Sequence, residues 1–406
     1  GVIRDSWQFK PGAYSAKNGA LFLNSIENKK EFFLFHLRGD TIPELNTANN
    51  NFGTNIFYSK IINNSIGNYI VEEKNISIVE DTLTDNGIAA CRHGNGRDWW
   101  LIASEGGSNC YYTLLYTPDT VEVIHKQCIG VKAVYEDGGQ SLFSTDGSMY
   151  IRGSAADGVE IFSFDRCTGL LSNERHIPLT EFDLNATNEF IGAVAVSPNN
   201  RFLYVATSGR LFQFDLQANN IAGSVLLIHD RDTTTLQNYV FVTMQLAPNG
   251  EIFISNSSQP KIHIIHNPNE QGVACNFERS VPLPKKGSFG LPNFPNYRLG
   301  ALIGSPCDTL TSLTPTLSKG EGVQIILHPN PASTYVEVDY GYLPWQSNSN
   351  ANLQLINSLG EVVYNQNLPP YSAFQFINVK DFPPGFYIVT VWDNGKLLGK
   401  ENLIIN

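Results

Sequence analysis

The chain has 406 residues, of which 42% are hydrophobic and 16% are charged, and its formal net charge is −11 at pH 7. This composition supports large packed cores and excludes a globally disordered chain. Basic residues are not concentrated in any segment, which argues against nucleic acid as a partner. The length is sufficient for two or three domains.

The sequence predicts no transmembrane segment, because no stretch approaches the run of about 20 apolar residues that crosses a bilayer. The first residues, GVIRDSWQFKPGAY, lack the basic start and the apolar core of a secretory signal peptide. If the protein is exported, we expect that a signal has been removed or that this chain is a segment of a longer precursor.

Short strands with a repeat of about fifty residues dominate the first three hundred residues. Two less regular units come first, at residues 19–40 and 53–81. Four similar segments follow: RDWWLIAS, GSMYIRGS, RFLYVATS and GEIFISNS. Their first apolar residues are taken as equivalent, and these are Trp99, Met149, Phe202 and Ile252. The intervals between them are 50, 53 and 50 residues. The last three follow the polar turns STDGS, SPNNR and APNGE, which suit tight hairpins.

A further strand follows in the same phase, in VEIFSFDRCTG, RLFQFDLQANN and KIHIIHNPNEQG. Four antiparallel strands in each repeat are typical of a β-propeller, because one such sheet can bury its faces only against its neighbours in a ring. With a last unit at residues 290–305, the count favours seven blades over six, with an N-terminal blade that is incomplete. A solenoid is the alternative, and it fits less well because its strands would advance once per turn.

The six cysteines are even in number and none forms a C-x-x-C pair, which favours structural disulfides over zinc or redox sites. We predict pairing of Cys91 with Cys110, of Cys128 with Cys167 and of Cys275 with Cys307. Free buried thiols are the alternative.

One cluster in this region is a candidate ligand platform, formed by Arg97, Asp98, Trp99 and Trp100. Exposed tryptophans at the mouth of a propeller would stack on a sugar or contact a peptide. Packing between blades is the other interpretation and the favoured one, because the matching positions in other repeats are also apolar.

The sequence carries little evidence of catalysis or of metal binding. His263 and His266 are three apart in a strand and therefore point to opposite faces. Residues 230–234 lack the glycine and the later acid of a calcium loop. Four acidic residues lie near predicted loops without an assignable role: Glu105, Asp137, Asp157 and Glu189. We predict no metal, no cofactor and no catalytic residue.

Residues 305–322 are rich in Ser, Thr, Pro and Gly and predict an exposed linker between two domains. Residues 323–406 then contain about seven short strands, with a turn at residues 358–360 and a hairpin signal at residues 393–396. Such a segment predicts a small β-sandwich of immunoglobulin-like shape. The domains are therefore a propeller over residues 1–304, the linker, and a sandwich.

The terminal segment resembles the type A C-terminal sorting domain of proteins exported by the type IX secretion system. The resemblance rests on HPNPAS, SLG, PPGFYIV, NGK and the closing KENLIIN, in this order at the end of the chain. It implies that the export machinery reads the following residues: Pro329, Asn330, Pro331, Gly385, Tyr387, Gly395, Lys396, Lys400, Leu403 and Ile404.

The same resemblance implies the partners and the localisation. The partners are an outer-membrane translocon, a shuttle barrel and a sortase-like peptidase, and the protein is secreted or displayed at the surface of a Gram-negative bacterium. Residues 95–100, 164–169 and 290–294 are similar to propeller domains of type IX cargo proteins. An ordinary sandwich that packs on the propeller is the alternative.

For the propeller we expect a binding module for a protein or a glycan. A secreted glycosidase or lyase with its site in the central funnel is the alternative, and a third hypothesis is that the chain is mainly a component of a surface assembly.

Overall fold

The computed structural model describes residues 17–26, 31–41, 51–63, 68–133, 138–155, 157–182, 190–207, 209–230, 241–256, 261–283, 290–308, 325–340, 351–368, 374–393 and 396–406. The chain divides into two compact units, with the division after Thr311. We refer to them as the N-terminal unit and the C-terminal unit.

Five four-stranded antiparallel sheets, each with its strands in sequential order, form the described part of the N-terminal unit. Sheet 1 consists of β1 (Ala20–Asn24), β2 (Glu31–Thr41), β3 (Asn51–Asn63) and β4 (Tyr69–Leu83). Sheet 2 consists of β5 (Ala89–Arg92), β6 (Trp99–Ser104), β7 (Cys110–Tyr116) and β8 (Val121–Cys128). Sheet 3 consists of β9 (Ser141–Phe143), β10 (Met149–Ser154), β11 (Gly158–Phe164) and β12 (Leu171–Pro178).

The last two sheets follow the same plan. Sheet 4 consists of β13 (Ile191–Val196), β14 (Phe202–Thr207), β15 (Leu211–Asp215) and β16 (Leu226–His229). Sheet 5 consists of β17 (Phe241–Leu246), β18 (Ile252–Asn256), β19 (Lys261–Ile265) and β20 (Phe277–Pro282). The helical elements of the described residues are short 3-10 turns at Leu179–Phe182, Ala222–Ser224 and Gly272–Cys275.

The predicted repeat is confirmed, since the four residues taken as equivalent each begin the second strand of their sheet. The first sheet differs from the prediction. Residues 19–40 and 53–81 belong to one sheet rather than to two units, and this sheet has all four strands. Its strands β3 and β4 are 13 and 15 residues long, which conceals the fifty-residue spacing.

The sheets pack face to face as in a β-propeller, which confirms the predicted fold class. Apolar clusters join sheet 1 to sheet 2, sheet 2 to sheet 3, sheet 3 to sheet 4 and sheet 4 to sheet 5. Strands β13 and β14 are buried along their whole length, whereas β16 is mostly half-buried, as expected when the first strand lies at the axis and the fourth at the rim. The described residues provide five blades, so the predicted number of seven is not confirmed.

Side-chain amides and one lysine make hydrogen bonds between blades where the innermost strands meet. The Gln140 side chain, from sheet 3, donates to the Met244 carbonyl of sheet 5 at 2.8 Å and accepts from its amide at 3.0 Å. Lys17 Nζ donates to the carbonyl oxygens of Gly138 and Gly192. These bonds link blades that are not sequence neighbours and hold the ring together at its centre.

Residues 290–307, the closing segment, complete the ring between sheet 5 and sheet 1. The Leu291 amide donates to Thr243 Oγ1 of sheet 5 at 2.9 Å. Asn293 Nδ2 donates to the Ile88 carbonyl at 2.8 Å, and the Tyr297 hydroxyl donates to the Phe22 carbonyl of sheet 1 at 2.6 Å. The prediction of a strand unit here was wrong, because this described segment contains no strand.

The predicted disulfide pairs were wrong. The disulfides are Cys110–Cys128 and Cys167–Cys307, while Cys91 and Cys275 are buried free thiols. Cys91 lies on β5 and Cys110 on β7, so β6 separates them by nearly 10 Å, more than a disulfide spans. Cys110 and Cys128 instead face each other across β7 and β8.

The Cys167–Cys307 bond also moves a predicted boundary. It ties residue 307 to the third sheet, so the N-terminal unit extends beyond residue 304, where we predicted that the linker begins. The rest of that predicted linker, from residue 309, lies outside the described residues.

The described residues of the C-terminal unit form a β-sandwich with seven strands, in agreement with the prediction. One sheet has the order β21-β22-β25 and the other β24-β23-β26-β27. The strands are β21 (Ile326–His328), β22 (Tyr335–Asp339), β23 (Asn352–Asn357), β24 (Val362–Asn367), β25 (Phe374–Asn378), β26 (Gly385–Asp393) and β27 (Lys396–Ile405). Alternating side chains from both sheets form one core around Val336, Leu353, Val389 and Leu403.

Candidate functional site: the terminal strand of the sandwich

The last strand of the chain, β27, lies at an edge of its sheet and pairs with β26 alone among the named strands. On its other side, the segment after β21 adds a short stretch of pairing. Asn330 Nδ2 donates to the Asn402 carbonyl at 2.7 Å, and Asn330 Oδ1 accepts from the Ile404 amide at 3.0 Å. The Ala332 amide then donates to the Ile404 carbonyl at 2.8 Å.

The predicted sorting residues therefore fall into two groups along β27. Most of them surround the C-terminal end of the strand: Pro329, Asn330, Pro331, Gly385, Tyr387, Leu403 and Ile404. Lys400 pairs with Thr390 farther along, and Lys396 pairs with Asp393 at the hairpin. Residues 396 and 404 are about 27 Å apart at the rise of an antiparallel strand. Gly395 lies outside the described residues.

Burial separates the residues that a partner can reach from those that it cannot. Leu403 is fully buried and Tyr387 is 5% exposed, with its hydroxyl donating to the Pro383 carbonyl. Both support the sandwich from inside. Ile404 is 44% exposed, and Lys400 and Asn330 are also exposed. A partner of the folded unit can reach these three side chains, and Pro331 and Gly385 are exposed as well.

Two residues that sequence analysis did not single out belong to this site. Asn402 lies between Lys400 and Ile404 on the outer face, and its carbonyl accepts the bond from Asn330. Ala332 is fully buried and forms a parallel bridge with Ile405. Ala332 follows residues 329–331 directly, so the HPNPAS motif contained its position but not its role.

The candidate ligand platform is wrong. Trp99 and Trp100 are 1% and 2% exposed, so neither ring can stack on a ligand. The Arg92 guanidinium lies 3.9 Å from the centre of the Trp99 ring. Asp98 is buried and accepts hydrogen bonds from Asn95 and Arg97, which fixes the turn before β6.

Trp100 is held by the neighbouring blade. Its indole Nε1 donates to the Arg166 carbonyl at 2.8 Å. Gly169 lies against the ring with φ of +75°, and a Cβ there would come within 2.8 Å of Trp100. The FDRCTG motif thus packs the second blade against the third, and the packing interpretation of the tryptophans is the correct one.

The acidic residues of the predicted loops are engaged in local bonds where they are described. Glu105 pairs with Lys126 at 2.9 Å, and Asp157 Oδ2 accepts from the Ser154 hydroxyl at 3.3 Å. Asp137 and Glu189 lie outside the described residues, as do residues 231–234. Within the described ranges, no three His, Cys, Asp or Glu side chains are arranged to hold a metal ion.

The two histidines of β19 and the following turn have opposite environments. His263 is fully buried, and burial lowers its pKa to about 4. His266 lies between Glu251 at 2.6 Å and Glu278 at 2.9 Å, and these two carboxylates raise its pKa.

Burial also determines the chemistry of the free thiols. It raises the pKa of Cys91 to about 12, and it raises the pKa of Cys275 as well. Both groups are therefore protonated at neutral pH and unreactive.

Comparison with known proteins adds three results. Residues 326–406 match the family described as the secretion system C-terminal sorting domain. No curated protein matches this chain. No helix within the described part of the chain is long and apolar enough to cross a membrane.

Several solved structures are distantly similar. PorZ, an essential bacterial surface component of the type IX secretion system of Porphyromonas gingivalis, has 12% identity and a TM-score of 0.40. The match covers 95% of this chain but only 51% of PorZ, so this chain spans about half the length of that protein. The periplasmic gluconolactonase PpgL of Pseudomonas aeruginosa has 13% identity and a TM-score of 0.41, with 90% of each chain covered.

A putative 6-phosphogluconolactonase of Bacteroides uniformis has 11% identity and a TM-score of 0.39, over 93% of this chain and 97% of that one. These likenesses are too distant to bear on activity or ligand. The sorting family and the ring of four-stranded sheets are the results that identify the chain. It is a β-propeller protein with a C-terminal sorting domain of the type IX secretion system, a cargo protein that is exported across the outer membrane of a Gram-negative bacterium to the cell surface or the medium.

Proposed function

We propose that the C-terminal unit presents the end of β27 and residues 329–331 as one surface to the type IX translocon and its shuttle barrel. The observation that carries this proposal is the pair of hydrogen bonds from the Asn330 side chain to the backbone of residues 402 and 404. They join two segments that are 72 and 74 residues apart in sequence. A receptor that binds this surface recognises a folded unit rather than a linear peptide.

The mode of recognition in this proposal is strand addition beside β27. Between residues 396 and 401 the outer edge of β27 has no strand partner among the described residues. An edge strand offers unpaired amide and carbonyl groups to an incoming strand. The outward-facing Lys400 lies in this stretch, and Asn402 and Ile404 continue the same alternation toward the end of β27, so the three side chains supply specificity. A sortase-like peptidase would then release the unit by cleavage in the predicted linker, after the disulfide-bonded Cys307.

The test is export of the full-length chain carrying Asn330→Ala in a cell with a working type IX system. Asn365→Ala is the matched control, because Asn365 is exposed on β24, the opposite edge strand of the same sheet. We expect Asn330→Ala to accumulate inside the outer membrane while the control reaches the surface. Equal surface display of both variants, with equal thermal stability, would contradict the proposal.

We also propose that the propeller is a binding module for a protein or a glycan outside the cell. Among the described residues, the polar side chains of Gln140 and Lys17 at the innermost strands are engaged in structural hydrogen bonds, which supports binding at the periphery over chemistry in a central funnel. Strand β4, on the rim of sheet 1, supports the same proposal, because Tyr69 and Val71 lie on one face of the strand and are 64% and 51% exposed, and Ile70 on the other face is 51% exposed. Exposed apolar clusters of this kind mark contact surfaces.

The experiment measures binding of the full-length chain to a glycan array and to surface proteins of the producing cell. Tyr69→Ser with Val71→Ser is the test variant, and Val123→Ser with Ile124→Ser on the outer strand of sheet 2 is the control, each residue being 38% exposed. We expect saturable binding that only the first variant loses. Turnover of a glycan without retention would favour an enzyme instead.

A further inference from the structure

Between sheet 5 and sheet 1, the described residues connect the blades through hydrogen bonds of an irregular segment, residues 290–307, which contains no strand. Residues 290–307 contribute bonds to sheet 5 through Leu291 and to sheet 1 through Tyr297. Farther along, the Leu302 amide donates to the Gly94 carbonyl beside sheet 2 at 2.7 Å. Its bonds are scattered over several blades, with two residues bonded to sheet 5 and others to sheets 1 and 2, so the segment lacks the regular backbone ladder that stabilises a paired strand.

The end of this segment is fixed covalently to the third blade. Cys307 forms a disulfide with Cys167, across a sequence separation of 140 residues. Cys167 lies in the turn after β11, which Asp165 organises by accepting from the Cys167 amide and the Thr168 hydroxyl, both at 2.8 Å. The turn is thus a rigid anchor for residue 307.

Arg166 adds a second connection at the same place. Its guanidinium donates to the Arg92 carbonyl of sheet 2 at 2.9 Å and to the Gly300 carbonyl of the closing segment. Sheets 2 and 3 and the closing segment therefore meet at one turn. The disulfide is half-exposed at this point, so a redox partner can reach it.

The other disulfide provides an internal contrast. Cys110 and Cys128 lie opposite each other on adjacent strands of sheet 2, 18 residues apart. Their bond restrains one hairpin that backbone hydrogen bonds already hold. It has no connection to the closing segment.

We infer that oxidation of Cys167 and Cys307 is the step that locks the ring, and that the reduced chain is a substrate of a thiol–disulfide oxidant. One cysteine thiolate attacks a sulfur of the oxidant's disulfide, which forms a mixed disulfide and releases one thiolate of the oxidant. The second cysteine thiolate then attacks the chain's sulfur in the mixed disulfide and releases the other. Two electrons and two protons pass from the chain to the oxidant, which ends as a dithiol.

The export of this chain places it in a compartment where such oxidants act. A cytoplasmic pool of the protein would carry the same residues as thiols, with the closing segment held only by its hydrogen bonds and by the packing of Tyr297 and Leu299. The ring is therefore expected to reach its full rigidity only after the chain has left the cytoplasm.

The first test compares amide hydrogen exchange in the full-length chain with two double variants, Cys167→Ser/Cys307→Ser and Cys110→Ser/Cys128→Ser. We expect the amides of residues 291–302 to exchange faster by on the order of tenfold or more in the first variant only. In the second variant, faster exchange is expected to be confined to β7 and β8. Equal protection of residues 291–302 in both variants would overturn the inference.

A second measurement does not depend on how the variants fold. The reduced wild-type chain is refolded with oxidised glutathione as the oxidant, and free thiols are alkylated at successive times before mass analysis. We expect the Cys167–Cys307 bond and the protection of residues 291–302 to appear together, with Cys91 and Cys275 remaining thiols. Full protection of the closing segment before this bond forms would show that the disulfide is not the lock.

Discussion

Trp100 of the second blade and Arg166 of the third are joined by a hydrogen bond of 2.8 Å from the indole nitrogen to the backbone carbonyl. The same carbonyl also accepts from the Gly94 amide at 2.8 Å. The Arg166 carbonyl in the FDRCTG turn thus accepts two hydrogen bonds from the preceding blade, one from the Trp100 side chain and one from the backbone of Gly94. The FDRCTG turn is therefore a contact between the second and third blades.

Replacement of Trp100 by Phe is expected to destabilise the N-terminal unit by about 1–3 kcal/mol. The change removes one hydrogen bond, worth about 1 kcal/mol, and leaves a cavity where the larger ring was packed. Urea unfolding followed by circular dichroism measures the effect. Trp392→Phe, which removes a donor to Thr390 in the C-terminal unit, is the control and should leave the transition of the N-terminal unit unchanged.

The buried ion pair between Arg152 and Glu160 is expected to be far more sensitive to the loss of one partner than an exposed pair. Both side chains are at most 1% exposed, and the Tyr111 hydroxyl also donates to Glu160 at 3.0 Å. Arg152→Met leaves a buried carboxylate without its counter-ion, which costs about 3–5 kcal/mol.

The exposed pair of Arg201 and Asp215 is the control for this prediction. The Arg201 side chain is 44% exposed, so Arg201→Met should cost no more than about 1 kcal/mol. The double change Arg152→Met/Glu160→Leu should recover much of the loss, because no charge is then left buried. Equal destabilisation by the two single variants in thermal unfolding would contradict this interpretation.

His263 is expected to lower the stability of the N-terminal unit as the solution becomes acidic. Burial lowers its pKa to about 4, whereas an unfolded histidine titrates near 6.5. Between these values the unfolded chain binds a proton that the folded chain does not, so stability is complete above about pH 6.5 and decreases toward pH 4. The loss amounts to about 3 kcal/mol. His263→Gln should flatten the dependence of the free energy of unfolding on pH in this window.

His266 is expected to act in the opposite direction. Glu251 and then Glu278 raise its pKa, so the folded chain retains a proton that the unfolded chain releases. Its contribution is fully present below about pH 6.5 and is lost as the pH rises through the folded value. His266→Asn should therefore reduce stability at pH 5.5 and have little effect at pH 9. A loss of the same size at both pH values would mean that the histidine contributes by packing.

The sequence was sufficient for those parts of the fold that repeat in phase. Trp99, Met149, Phe202 and Ile252 each begin a second strand because tight polar turns precede them, and this local chemistry is readable. Sheet 1 was not readable in the same way, since its long strands β3 and β4 have no such spacing. The closing segment was also mistaken for a strand unit. Its apolar residues pack against blades that are distant in sequence and do not form a strand pattern of their own.

Neither disulfide could be predicted from local sequence patterns. The pairing of Cys110 with Cys128 depends on the register of β7 and β8. The pairing of Cys167 with Cys307 depends on tertiary structure that brings together residues 140 apart in sequence. In the sandwich, the motifs contain most of the residues that surround the end of β27, and the role of these residues in export stays a prediction. Their order could not reveal that the Asn330 side chain bonds to the backbone of residues 402 and 404.

Leu403 and Ile404, adjacent residues near the end of β27, allow folding to be separated from recognition. Leu403→Ala removes a fully buried side chain and should cost the C-terminal unit about 2–5 kcal/mol. Ile404→Ala changes a side chain that is 44% exposed, and it should cost no more than about 0.5 kcal/mol. If the folded surface is what the translocon recognises, Ile404→Ala nevertheless reduces surface display of a stable protein. Leu403→Ala reduces display in proportion to its loss of folded protein. Normal display of Ile404→Ala, measured by surface labelling alongside thermal unfolding, would restrict recognition to the backbone edge of β27.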